Sequence, residues 1–225
     1  MDPLRELNAR FHNGGEEAST LREAGVLIKV VDGMEDEPST PWHACLTGWC
    51  AGVDHVSASL INRKLSHTYN EIHPELSVAF VLKADAVAVE CAMLDDGGTV
   101  MVERGGCSRP TCPGGWCVYR FPGQLGAFVH AHLTQDFCAS ADGPCRETYS
   151  EVVILKSEWE AMLERGGIQA VACLRNGDTP ADSTCDEARD VWRRYLSAYG
   201  LSAAQVPLVR YLGAEVGFER IGSDW

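Results

Sequence analysis

The sequence predicts an α+β fold built on a mixed sheet. Three observations support this prediction: apolar, β-branched runs fill the first half of the chain, helix and strand patterns alternate in the second half, and most of the ten cysteines lie in short irregular segments. The chain has 225 residues, 45% of them hydrophobic, so it can bury a full core. We expect a single domain over 1–225, β-rich in 24–121 and α/β in 122–212, with disulfide-stapled loops.

The first predicted element is a short helix that begins after Asp2 and Pro3. An aspartate followed by a proline is typical of a helix start, because the carboxylate caps free amide groups and proline needs no hydrogen-bond partner there. Leu4, Leu7 and Phe11 then recur at helical spacing. The helix should end at the Asn-Gly-Gly that follows, and we expect it to pack as a lid.

Apolar runs separated by Asp- and Gly-rich turns predict the strands of the first half. The expected strands cover 24–32, 55–62, 76–83, 86–93 and 98–103. In the second half, Pro122 suits the first turn of a helix, and the pairs Ser157–Glu160 and Thr184–Glu187 have the spacing of capping boxes that open two more helices. The expected strands between and after these helices cover 149–155, 168–174 and 206–212.

The cysteines predict disulfides rather than a metal site. No Cys-x-x-Cys pair occurs, although paired ligands at such spacing are typical of zinc sites. Disulfides persist in oxidising compartments, so we expect an extracellular or secretory-pathway location. The chain opens without the apolar segment of a signal peptide, so we expect either that a leader has been removed or that the chain is cut from a longer protein; reduced cysteines in a cytosol are the alternative. The expected local bridges are Cys45–Cys50, Cys138–Cys145 and one from Cys91 into 107–117.

The charge of the chain argues against two classes of partner. Its formal net charge is −13, which repels nucleic acid phosphates and anionic lipid surfaces alike. No apolar stretch reaches the roughly 18 residues that a membrane span requires. We therefore expect no nucleic acid partner and no membrane span.

Four segments of the chain follow one another in the order AGVLIKVVDGMEDEP, SASLINRKL, YSEVVIL and YGLSAAQVPLV. Their sequences and their order resemble those of an uncharacterised cysteine-containing protein family of unicellular algae. The resemblance covers roughly residues 5–212. It implies that the chain is one unit and carries over no activity and no catalytic residue.

Glu151 is the first candidate for a catalytic carboxylate, because it opens an apolar strand and so projects from a fixed backbone. The phrase YSEVVIL, with Ser59 of an earlier Ser-Ala-Ser, resembles the ADP-ribosyltransferase pattern, in which a glutamate stabilises the reacting ribose. That resemblance implies NAD as cofactor and a supporting role for Tyr149. The family's early arginine has no counterpart near Lys29, and a strand glutamate that faces solvent is the alternative.

Three tryptophans lie in the cysteine-bounded loops: Trp42, Trp49 and Trp116. Flat aromatic rings beside polar groups are typical platforms for stacking a sugar or for gripping a partner protein. They can equally fill gaps around disulfides. His67 and His73 flank a polar loop that could hold a general base, and the acidic turn 32–37 could bind calcium weakly, but exposed polar loops explain both and we assign no metal.

These observations leave three hypotheses. The first is a non-catalytic, disulfide-stapled recognition domain that uses the tryptophan loops to bind a glycan or a protein, without a cofactor. The second is an enzyme with a carboxylate-centred site at Glu151, of the ADP-ribosyl transfer type. The third is an assembly subunit whose apolar faces are buried against a partner chain.

Overall fold

A computed structural model of the protein describes residues 2–15, 18–31, 55–64, 77–86, 89–93, 119–120, 123–128, 151–174 and 185–222. Within these ranges nine strands form one sheet in the order β5-β4-β6-β2-β1-β3-β7-β8-β9. The strands are β1 Val26–Val31, β2 His55–Ile61, β3 Val78–Leu82, β4 Val89–Met93, β5 Tyr119–Arg120, β6 Glu151–Leu155, β7 Ile168–Leu174, β8 Leu208–Tyr211 and β9 Phe218–Arg220. All described pairings are antiparallel except β7 with β8.

Helices cover both faces of this sheet. They are α1 Pro3–Asn13, α2 Leu21–Ala24, α3 Lys156–Glu164 and α4 Cys185–Tyr199, with a short 3₁₀ helix at Ala84–Ala86. Residues 125–128, within the helix predicted after Pro122, are also helical. Together with the antiparallel pairs and the one parallel pair, these helices confirm the predicted α+β fold with a mixed sheet. None of the described helices is long and apolar enough to cross a membrane.

Helix α1 begins as the sequence predicts. The carboxylate of Asp2 accepts a hydrogen bond from the Leu4 amide at 3.1 Å, and Pro3 occupies the first turn. Leu7 and Phe11 are fully buried, because the apolar stripe of the helix lies against the sheet. The helix is therefore a layer of the core.

The two faces of the sheet bury separate groups of side chains, because residues alternate along each strand. On one face, Phe80 packs between Trp159 of α3 and Tyr195 of α4, with ring centroids 6.4 and 5.4 Å away. On the other face, α1 contributes Phe11, which packs edge-on against Tyr211 at 5.8 Å.

The described residues contain one disulfide, between two cysteines for which the sequence analysis named no bridge. Cys173, near the end of β7, is bonded to Cys185, the first residue of α4, and both are buried. Cys91 lies in β4. The local bridges that the sequence predicts, Cys45–Cys50 and Cys138–Cys145, lie outside the described residues, as does the segment 107–117 to which Cys91 is expected to bond.

Several boundaries differ from the sequence predictions. Helix α3 begins at Lys156, directly after β6, so Ser157 lies inside the first turn and does not cap the helix. Helix α2 and strand β9 were not predicted, because four and three residues are too short to show a periodic pattern. The predicted strand at 98–103 lies outside the described residues.

Candidate functional site

A cavity of about 560 Å³ opens at one end of the sheet, where β3 ends and β1, β7 and β8 begin. Its walls come from six segments: α1, α2, the turn after β3, the residues between α3 and β7, the start of β7, and the residues that follow α4. Four basic and two acidic side chains line it, a formal surplus of two positive charges. This surplus contrasts with the net charge of −13 on the whole chain.

Arg10 is the most buried charged group of the cavity, with 9% of its surface exposed. Its Nε and Nη2 groups donate to the carbonyl oxygen of Gly25 at 3.2 and 3.1 Å. Its Nη1 group donates to Oε1 of Gln169 at 2.7 Å. All these acceptors are neutral, and no carboxylate of the described residues forms an ion pair with Arg10.

The surroundings of Arg10 fix the guanidinium in place. Gln169, itself 5% exposed, donates to the carbonyl oxygen of Pro3 at 3.3 Å. Gly25 approaches the next strand so closely that a Cβ atom there would collide with the Ile61 carbonyl oxygen, so only glycine fits. The carbonyl that accepts two bonds from Arg10 is therefore held by the backbone itself.

One side of the cavity is formed by Arg22 and by the two carboxylates with which it pairs. Its Nη2 atom lies 2.5 Å from Oε1 of Glu6, and its Nη1 atom lies 2.7 Å from Oδ2 of Asp85. The side chain of Arg22 is 48% exposed, so this ion-pair network lies at the rim and water screens it. Arg22 is fully matched by negative charge, whereas Arg10 is not.

Two further cations lie at the opening. Nζ of Lys83 donates to the carbonyl oxygen of Gly166 at 2.6 Å, again a neutral acceptor. Arg165 lies 3.9 Å from a carboxylate oxygen of Glu158 and is largely exposed. Among the described ion pairs, none involves Lys83.

The remaining wall is apolar. Leu201 and Val206 follow α4, and Ala84 and Ala86 belong to the 3₁₀ turn after β3. The indole Nε1 of Trp192 donates to the Val206 carbonyl oxygen at 2.8 Å and so holds this wall against α4. The cavity therefore joins a charged end to an apolar side.

Burial lowers the pKa of Arg10, and the nearby charge of Arg22 lowers it further, whereas Glu6 and Asp85 raise it. An arginine stays protonated in spite of such shifts, because its ordinary pKa is above 12. The cavity thus contains a permanent positive charge in a partly dehydrated position, which a negatively charged ligand would stabilise.

Two of the predicted catalytic residues fall on described strands. Ser59 lies in β2 and is 3% exposed, and Glu151 is the first residue of β6. These strands are neighbours, and their described register ends at the pair Ala58↔Val152. Continuing the register by one residue puts Ser59 opposite Glu151.

The other predicted site residues lie outside the described residues: Tyr149, Trp42, Trp49, Trp116, His67, His73 and the acidic turn 32–37. The roles that the sequence assigns to them stay predictions. Within the described ranges, no three His, Cys, Asp or Glu side chains are grouped so that they could hold a metal ion.

Sequence reasoning missed the whole cavity. One signal was present: Arg10 follows Leu7 by three positions and precedes Phe11, so it falls on the apolar stripe of α1. A second was Gln169, a polar residue in the otherwise apolar run 168–174. No family model matches the chain, and no curated protein matches it.

Proposed function

We propose that this protein is a binding domain that recognises a small organic anion in the cavity at the end of the sheet. The observation that carries the proposal is the buried guanidinium of Arg10, which lines the cavity and meets only neutral acceptors among the described residues. Buried charges in proteins are usually paired. An anion in the cavity would supply the missing partner.

The size and lining of the cavity support the same proposal. Small-molecule pockets usually enclose about 300–1,000 Å³ and combine apolar walls with a few fixed polar groups. This cavity has about 560 Å³, with Arg10 and Lys83 at its polar end and Leu201 and Val206 on its apolar side. The charge surplus of the lining would also attract anions to an otherwise acidic chain.

Thermal unfolding with a panel of sodium salts tests the proposal. The probes are hexanoate, phenylacetate, hexanesulfonate and hexyl phosphate, with uncharged hexanamide as the control, all at one ionic strength because salt screens surface charges. A bound anion at about 100 times its Kd should stabilise the protein by about 2.7 kcal/mol. Hexanamide should leave the unfolding temperature unchanged.

Three variants locate the binding. Arg10→Gln and Lys83→Gln remove cations of the cavity, whereas Arg63→Gln removes an exposed cation that pairs with Glu215 elsewhere. We expect the first two to lose the anion-dependent stabilisation and the third to keep it. The proposal is overturned if no anion of the panel stabilises the protein, or if both cavity variants respond as the wild type does. Lys83 is exposed, so its variant keeps the test valid if Arg10→Gln does not fold.

The register of β2 and β6 favours a second candidate, an ADP-ribosyl transfer enzyme centred on Glu151. It rests on Ser59 and Glu151 being neighbours when the described register is continued. Release of nicotinamide from NAD⁺ by water measures such an activity. Glu151→Gln should abolish this release while Glu160→Gln, an exposed glutamate of α3, should not. Turnover that survives Glu151→Gln would exclude this candidate.

A further inference from the structure

The donors that Arg10 leaves available define the shape of the anionic group. A guanidinium has five N–H groups. Three of those in Arg10 donate to Gly25 and Gln169, so two remain without an acceptor among the described residues. One of these two is on Nη1 and the other on Nη2, and the two oxygens of a single carboxylate can accept from both nitrogens of a guanidinium. The donor count therefore favours one carboxylate as the group that pairs with Arg10.

The other groups at this end disfavour a phosphate. Phosphate sites usually gather several backbone amides, often at a helix N-terminus. Here the first-turn amide of Leu4 already donates to Asp2. The backbone groups that meet Arg10 and Lys83 are the carbonyl oxygens of Gly25 and Gly166, which repel an anion.

Two carboxylates limit the charge that the cavity can accept. Glu6 and Asp85 both lie on the lining, and together they carry one negative charge more than Arg22, the cation with which they pair. The lining as a whole still carries two surplus positive charges, so it attracts an anion. A monoanion uses the charge of Arg10 without bringing a second negative charge close to these two carboxylates.

The apolar side indicates what the acid is attached to. Leu201 and the alanines of the 3₁₀ turn offer carbon surface beside the charged end, and the buried Val206 lies behind it. Each methylene group that leaves water for such a surface contributes about 0.8 kcal/mol, so a chain of a few carbons should bind several-fold more tightly with each addition.

We propose that the ligand of this cavity is a monocarboxylate with an apolar body, whose carboxylate pairs with Arg10 and whose body lies against Leu201 and Val206. This inference rests on the proposed anion-binding function and names its ligand class. It predicts discrimination both by the kind of acid and by the length of the carbon chain.

Calorimetric titration of the full chain with four probes tests both kinds of discrimination. The probes are acetate, hexanoate, hexyl phosphate and hexanesulfonate at about pH 8, where the phosphate monoester is a dianion because its second pKa is near 6. We expect hexanoate to bind at least tenfold more tightly than acetate and at least tenfold more tightly than hexyl phosphate. Hexanesulfonate, a monoanion with three oxygens, should bind less tightly than hexanoate and more tightly than hexyl phosphate.

Two variants separate the two parts of the site. Arg10→Gln should weaken hexanoate binding at least tenfold. Leu201→Ser should reduce the ratio between hexanoate and acetate while acetate binding stays the same, and Val216→Ser, at an exposed position, should change neither.

The outcomes distinguish the two proposals. If hexyl phosphate binds as tightly as hexanoate, the ligand is not specifically a monocarboxylate, although the proposal of anion binding still holds. If acetate binds as tightly as hexanoate, the ligand does not need an apolar body. If none of the four probes binds and no anion of the thermal panel stabilises the protein, both proposals fail. Tight hexanoate binding that survives Arg10→Gln overturns the assignment of the carboxylate to Arg10.

Discussion

The two faces of the sheet solve the problem of burial differently. The face beneath α3 and α4 is closed by large aromatic rings, among them Phe80, Trp159 and Tyr195, and by the Cys173–Cys185 disulfide. The face beneath α1 also has an aromatic cluster, but α1 carries the buried Arg10 into the end of the sheet. The first face is held together by apolar packing and a disulfide, whereas the second combines apolar packing with a buried positive charge.

This difference indicates where each face can tolerate change. Apolar packing contributes to stability without specifying a ligand, whereas a buried cation with neutral partners costs free energy unless something else compensates it. Binding sites are frequently places where local order is maintained at the expense of stability. The apolar wall of the cavity, Leu201 and Val206, packs against the α3/α4 face. We therefore expect variants of that face away from this wall to change stability alone, and variants near Arg10 to change ligand binding as well.

The largest effect should come from Phe80→Ala. Phe80 is fully buried between two rings, and its removal leaves a cavity, so the free energy of unfolding should fall by about 3–5 kcal/mol. Urea unfolding measures this change. The matched control is Val216→Ala, at a position that is 53% exposed, which should change stability by less than about 0.5 kcal/mol. A loss below about 1 kcal/mol for Phe80→Ala would show that this face is not the more cohesive one.

The disulfide should give the next largest effect. It closes a short loop between β7 and α4, and the double variant Cys173→Ala, Cys185→Ala should lower the free energy of unfolding by about 2–4 kcal/mol, since the unfolded chain gains freedom. Anion binding should stay the same, because neither cysteine lines the cavity. A double variant that is as stable as the wild type, or that loses anion binding, would contradict the separation of the two faces.

Tyr195 should make the α3/α4 face sensitive to alkali. Burial raises the pKa of this phenol above its ordinary value of 10.0, and Tyr199 raises it further. Because the folded pKa is the higher one, the contribution is complete below pH 10 and is lost as the pH rises beyond it, by up to about 1.4 kcal/mol per pH unit. Tyr195→Phe should flatten the decline in stability above pH 10. An unchanged decline in this variant would exclude Tyr195 as its source.

Local patterns were sufficient to predict most of the sheet and the two long helices. Asp2 caps α1 and strand β7 has its predicted bounds. These features depend on neighbours in sequence. The cavity could not be predicted in the same way, because Arg10 and Lys83 belong to segments that only the order of the strands brings together.

The smallest effect should come from the capping box of α2, the helix that carries Arg22 to the cavity. The Glu23 carboxylate accepts hydrogen bonds from the Ser19 hydroxyl at 2.7 Å and from two backbone amides, and these bonds hold its pKa below the ordinary value of 4.5. The folded pKa is the lower one, so the contribution is present above pH 4.5 and is lost as the pH falls through the folded value. Glu23→Gln should therefore show less loss of stability on acidification than the wild type.

Thermal unfolding at about pH 5 and about pH 3 measures this difference, with Glu219→Gln, an exposed glutamate of β9, as the matched control. The effect should be small, because α2 has only four residues and its cap is open to water. Its importance lies in Arg22, which leaves the cavity rim if α2 frays. A Glu23→Gln variant whose hexanoate affinity equals that of the wild type at pH 8 would show that the rim pairs with Glu6 and Asp85 hold Arg22 without help from the cap.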